Sequence, residues 1–145
     1  MGTNGVKRVD QMHNLKDLII LKKAMEVVTE VYRIVANFPS DEKYGLISQI
    51  KRSAVSIPSN IAEGAGRESQ KEFKYFLSVS NGSCYELQIQ LELSFNLGLL
   101  REDMKNDVLK KLDELQKMNY SLQKRLSGNS SLAEPEELYS LTTNS

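Results

Sequence analysis

The chain has one cysteine, one histidine, three prolines and eight glycines in 145 residues. A single cysteine excludes an internal disulfide framework and any zinc site built on cysteines. A single histidine excludes the paired Glu-x-x-His motifs of di-iron helical bundles. So few prolines and glycines argue against a loop-rich or all-β fold. No apolar run approaches the roughly 20 residues that a membrane span needs. The opening stretch MGTNGVKRVDQMHNL has no apolar core of the secretory kind, so a cytoplasmic, reducing location is the expectation. What is present suits one soluble domain: 40% hydrophobic and 26% charged residues. A chain of this length buries about two-thirds of its unfolded surface and needs no covalent staple.

Charge balances overall, with 19 basic and 19 acidic side chains, but it is unevenly spread. Residues 1–75 carry a net +3 and residues 76–145 a net −3. The segment after Gly128 holds Glu134, Glu136 and Glu137 and no base. So mild a basic excess in the body does not by itself signal nucleic-acid binding.

Apolar periodicity predicts four helices. In the first, residues 16–37, Leu18, Leu21, Met25, Val28, Tyr32 and Val35 follow heptad spacing. A second stripe of Ile20, Ala24, Val27, Val31, Ile34 and Phe38 lies beside it. Together they cover roughly 200° of the circumference, more than one packing face needs. The surplus face, with Ile20, Val27, Val31 and Ile34, is expected to meet another subunit. Lys22, Lys23, Glu26, Thr29, Glu30 and Arg33 form a polar strip expected to face water.

Phe38-Pro39 ends that helix, and Ser40 with Asp41 and Glu42 reads as the start of the next. Its core positions are Ile47, Ile50, Ala54, Ile57 and Ile61. Pro58 falls inside this pattern, frees the Ala54 carbonyl and predicts a kink. Glu63-Gly64-Ala65-Gly66 reads as the stop. Ser69-x-x-Glu72 is a capping box that opens the third helix. Its core stripe is Phe73, Leu77, Ser80, Cys84, Leu87, Leu91 and Ser94, and small residues around Gly82 suggest a close helix contact. Gly98 ends it. Glu102 and Asp103 open the fourth, which buries Val108, Leu112, Leu115, Leu122 and Leu126 and ends at Gly128. The expected architecture is an all-α, up-down-up-down antiparallel four-helix bundle over residues 15–127. It is flanked by an N-terminal arm (1–14) and an acidic flexible tail (128–145).

Catalytic chemistry finds little footing. No phosphate loop, nucleophile–histidine pair or paired carboxylates are present, so an enzyme and a cofactor are not expected. Cys84 sits at an apolar position as a small buried hydrophobe. Gln49, Arg52, Ser56, Asn60 and Glu63 form a polar stripe on the second helix. The functional reading is a polar surface for a ligand or nucleic acid; the structural reading, which is favoured, has Ser56 and Asn60 serving carbonyls freed by Pro58, with Arg52 paired to a Glu. Lys51, Arg52, Arg67, Lys71 and Lys74 gather near the junction of the second and third helices. Lys71 and Lys74 occupy first turns, where the helix dipole disfavours cations, which hints at function; Glu68 and Glu72 stand between them and favour a solvated, self-neutralised face instead.

The run Ser56-Ile57-Pro58-Ser59-Asn60-Ile61-Ala62-Glu63-Gly64, with the residues from Tyr44 before it, resembles a known signature. It is that of four-helix bundle proteins encoded in intervening sequences of bacterial large-subunit ribosomal RNA genes. Gly66-Arg67, Phe73, Phe76-Leu77, Gly82-Ser83 and Glu86-Leu87 continue the likeness. The family carries a ribosomal-protein label. The resemblance implies a homopentameric ring, and kinship with the accessory proteins of diversity-generating retroelements, which bind nucleic acid through a basic surface. Those proteins are strongly basic, whereas this chain is neutral.

The sequence therefore leads to a non-enzymatic homo-oligomer binding structured RNA or a nucleoprotein partner through Lys51, Arg52, Arg67, Lys71 and Lys74. A protein–protein scaffold with no nucleic-acid role is the alternative. A membrane and a small-molecule substrate are not expected partners.

Overall fold

The computed structural model describes residues 15–42 and 45–128; the arm over 1–14, the tail over 129–145 and positions 43 and 44 lie outside the described residues. The fold is all-α. Four helices carry it: α1 (Leu15–Val35), α2 (Leu46–Ala65), α3 (Gln70–Asn96) and α4 (Glu102–Leu126), with one 3₁₀ turn at Ser40–Glu42. None of them is long and apolar enough to cross a membrane.

Each boundary has a local cause. Asp17 in the first turn of α1 and Arg33 in its last complement the helix dipole. The second helix departs from expectation at its start. Ser40, Asp41 and Glu42 form an isolated 3₁₀ turn, and α2 begins only at Leu46, after Gly45. A glycine inside a helix costs about 1 kcal/mol, and Gly45 stands immediately before the residue at which α2 begins. α2 continues through Pro58. The Ser69 hydroxyl accepts from the Glu72 N–H at 3.1 Å and caps α3. Gly98, at φ +77°, takes the left-handed conformation that ends α3, and the Leu99 N–H reaches back to the Ser94 carbonyl. The stop after α2 differs: Gly66 keeps a right-handed φ of −81°.

The seams between helices run in opposite senses. Ser80, Ser83 and Glu86 of α3 meet Ile57, Ser56 and Ser53 of α2 in descending order. Asn119 and Gln116 of α4 meet Leu77 and Asn81 of α3, and Lys105 meets Glu92. Lys23 and Glu30 of α1 pair with Glu114 and Lys111 of α4, closing the circuit. The α2–α3 seam is the most extensive. One apolar core joins all four helices, including Ile50, Ile57, Leu77, Leu87, Leu91, Val108 and Leu112. Leu91 and Leu112 sit on the stripes that periodicity assigns to the core.

The first helix corrects the sequence reading. Ile20, Val27, Val31 and Ile34 are buried inside this single chain, so they are core residues and not an interface between subunits. The heptad stripe is outward only in part: Met25 is 57% exposed and Leu18 and Tyr32 are each 40% exposed, whereas Val35 is buried and Leu21 and Val28 pack against the core. The inward face has small and β-branched residues, which let α1 settle against its neighbours. A buried tyrosine would need a partner for its hydroxyl. The polar strip is corrected as well. Lys23 donates to Glu114 at 2.6 Å and Glu30 accepts from Lys111, so part of it ties α1 to α4.

Two glycines exchange expected roles. Gly82 has open space around it, whereas a Cβ on Gly64 would lie 2.8 Å from Phe76 Cβ and 2.9 Å from Phe73 Cδ1. Gly64 is therefore a contact residue within α2. Gly64→Ala is expected to destabilise the protein by about 1–3 kcal/mol through overpacking. A lower urea midpoint at constant m-value would register it, and an unchanged midpoint would refute it.

Candidate nucleic-acid interface

The five basic residues divide into two groups. Lys51 and Arg52 lie in the first half of α2, and Arg67, Lys71 and Lys74 surround the α2–α3 turn. With a rise of 1.5 Å per residue, Arg52 and Arg67 are separated by about 22 Å along the helix direction. One chain thus does not gather the five into one patch.

Within these groups the cations are held differently. Lys51 is half-buried with its Nζ 5.0 Å from the centre of the Tyr32 ring. That contact bridges α2 to the outward stripe of α1. Arg52 is exposed, and no ion pair to a glutamate holds it among the described residues. The glutamate nearest the seam, Glu86, instead accepts from the Ser53 hydroxyl at 3.5 Å. Arg67 donates to the Glu63 carboxylate, one turn back on the chain, and its guanidinium lies 5.0 Å from the Phe76 ring centre. Lys71 and Lys74 are exposed on the first turns of α3. Such groups can neutralise phosphates as point charges.

The polar stripe of α2 divides too. Gln49 is exposed, while Ser56 and Asn60 are half-buried. Asn60 Nδ2 donates to the Ser56 carbonyl at 2.8 Å and to Ser56 Oγ at 3.0 Å. Ser56 and Ser83 share a hydroxyl–hydroxyl bond of 2.8 Å. Ser80 Oγ, fully buried, donates to the Ile57 carbonyl at 2.9 Å. The carbonyls served are therefore those of Ser56 and Ile57, immediately before Pro58, and not that of Ala54. Sequence reasoning missed Ser53 and Ser83 as partners across this seam. Their signal was the small-residue cluster around Gly82, whose inward members are Ser80 and Ser83.

Cys84 is buried, and desolvation pushes its thiol up to about 12. No group of three or more His, Cys, Asp or Glu residues among those described could hold a metal ion. An open groove lies between α1 and α4, lined by Leu18, Leu21, Met25, Met104 and Lys111 among others. Its lining residues belong to α1 and α4 and include neither Ser80 nor Cys84.

Removing Ser56 and Ser83 hydroxyls singly and together should reveal a coupling of about 0.5–1 kcal/mol in a double-mutant cycle. Additive losses would show that the bond contributes nothing. A thiol reagent at mildly alkaline pH should label Cys84 only as fast as the protein opens. Immediate labelling of the folded chain would contradict its burial.

Comparison with known proteins places this geometry in context. Among solved structures, a protein of unknown function from the S23 ribosomal protein family of Bacteroides thetaiotaomicron VPI-5482 is similar, with a TM-score of 0.68 and 23% identity. The match covers 76% of this chain and 99% of that one. At that identity the likeness concerns the fold. No curated protein matches. The family model for 23S rRNA-intervening sequence proteins matches residues 16–121, the four helices almost whole. The chain thus belongs to the 23S rRNA-intervening sequence protein family.

Proposed function

We propose that the protein is a non-enzymatic, cytoplasmic homo-oligomer that binds structured RNA through exposed cations repeated around the assembly. The observation that carries this reading is the placement of Lys71 and Lys74. Both are exposed in the first turns of α3, where the helix dipole opposes a cation. Helix stability does not call for lysine there. The family description ties relatives to 23S rRNA intervening sequences, which supports RNA as the ligand class.

Self-association supplies what one chain lacks. A single chain offers two small basic groups about 22 Å apart. Repetition turns them into a multivalent surface, and avidity raises weak contacts by orders of magnitude. The surface that would be covered is the outward stripe of α1, Leu18, Met25 and Tyr32, together with Ile89, Leu93 and Leu97 on α3. These residues replace Ile20, Val27, Val31 and Ile34 in that role. Five copies in a ring is the number the family resemblance implies. The scaffold reading is favoured by the same exposed α3 residues, with Ile89 67% exposed. Recovery of one protein partner from nuclease-treated lysate, with no RNA shift, would favour it.

Light scattering should return a multiple of the chain mass at micromolar concentration. A gel shift with a folded rRNA fragment should weaken steeply with salt. Lys71→Gln/Lys74→Gln should flatten the slope of log K against log salt by about 0.9 for each phosphate no longer neutralised. A single-chain mass, or a shift insensitive to salt, would overturn the proposal.

A further inference from the structure

The register between α3 and α4 fixes which residues share the outer surface at one end of the molecule. Asn119 Nδ2 donates to the Leu77 carbonyl at 2.9 Å, and Gln116 Nε2 donates to Asn81 Oδ1 at 3.3 Å. Continuing along both helices sets Gln123 level with Lys74. Tyr120 and Lys124 flank that level on the outward side: Tyr120 is 40% exposed, and Lys124 Nζ lies 5.3 Å from its ring centre. Lys71 and Tyr75 are exposed on the adjoining face of α3, Tyr75 at 62%. Three lysines and two tyrosines thus lie on the outer surface at one end of the molecule. Of the nearby acids, Glu72 accepts from the Ser69 hydroxyl and Glu63 from Arg67, while Glu68 is exposed.

At this same end α4 finishes at Leu126, and Gly128, at φ +72°, redirects the chain. The sequence that follows carries Glu134, Glu136 and Glu137, then Leu138, Tyr139 and Leu141, with no basic residue.

We propose that the chain's own segment 134–141 docks on this surface, its carboxylates on Lys71, Lys74 and Lys124 and its Leu138–Tyr139 pair against Tyr75 and Tyr120. Charge and apolar pattern are complementary in the same order: acids and then apolar residues, facing lysines and tyrosines. Reach is sufficient. The residues from Gly128 to Glu134 span roughly 20 Å when extended. Lys74 is level with Gln123, only about 8 Å back along α4 from Gly128 at the helical rise. Tethering places the segment at an effective concentration of order millimolar, so a weak contact suffices. Docking needs no RNA. Its consequence, competition between the tail and RNA for Lys71 and Lys74, rests on the proposed function.

Carbodiimide cross-linking of the full chain, read by mass spectrometry, tests the docking directly. At low salt, links from Glu134, Glu136 and Glu137 should go mainly to Lys71, Lys74 and Lys124. They should fall several-fold near 0.5 M salt, where the screening length is below about 5 Å. In an equal mixture of heavy and light isotope-labelled chains refolded together, the links should stay within one label. Links mainly to other lysines, no links, or mixed-label links would overturn the docking whatever RNA does. The triple substitution Glu134→Gln/Glu136→Gln/Glu137→Gln should then tighten RNA binding several-fold. Unchanged affinity alongside the expected links would overturn the competition alone, and absence of any RNA shift would point to the proposed function as the failure.

Discussion

The close antiparallel contact of α2 with α3 sets the geometry of everything attached to it. Two devices make it close. At the turn, Gly64 leaves room for the Phe73 and Phe76 side chains, which a single methyl group would meet at under 3 Å. Along the helices, Ser80 and Ser83 replace bulky side chains and turn their hydroxyls to the Ile57 carbonyl and Ser56. Hydroxyls in such a seam cost free energy unless satisfied, and here they bond to each other and to helix carbonyls. Each such bond contributes about 0.5–1.5 kcal/mol net. Their larger effect is on register, because a slide by one residue would strand every hydroxyl. That register brings Arg67, Lys71 and Lys74 to one end and separates them from Lys51 and Arg52.

The sequence was most readable where apolar and charged residues alternate cleanly. On α3 and α4, the core stripe read from the helical period is buried except at Leu126, which is half-buried, and the Ser69 cap marks a boundary by its own hydrogen bond. On α1 the period identifies two stripes and cannot rank them. Their ranking depends on shape: Ala24, Val27 and Val31 fit between helices, while Met25 and Tyr32 would demand space and a hydroxyl partner. Only a packing argument reaches that distinction. Ser40-Asp41-Glu42 misled for a related reason. It has the composition of a helix cap, and it does form a turn, but Gly45 separates it from Leu46, where α2 begins.

The candidate interface was less legible than the fold. Residue type and exposure can be inferred at Lys71 and Lys74, because their position opposes the helix dipole. Pairing cannot. Lys23 and Glu114 are bonded across 91 residues of sequence, and nothing local in either segment anticipates it. The same holds for the surface shared by α3 and α4. Lys124 and Tyr120 acquire significance only when Asn119 and Gln116 fix which residues of α3 stand opposite them.

A neutral chain that binds a polyanion must do so by arrangement, since net charge gives no attraction. Here the ion pairs bind Lys23, Lys111, Lys105 and Arg67 to carboxylates of their own chain, removing them from the pool of uncommitted cations. The exposed lysines of α3 are left over after these pairings. Two or three phosphate contacts per chain are too few for tight binding at moderate salt, because each loses affinity as counterions are restored. Linking several such sites on a rigid body changes the scaling: the first contact positions the rest in advance. Affinity then depends on whether the chains associate, and association depends on covering the outward stripe of α1 that packing left exposed. In the proposed reading, the apolar surface and the basic surface are therefore a single requirement, and neither alone would give function.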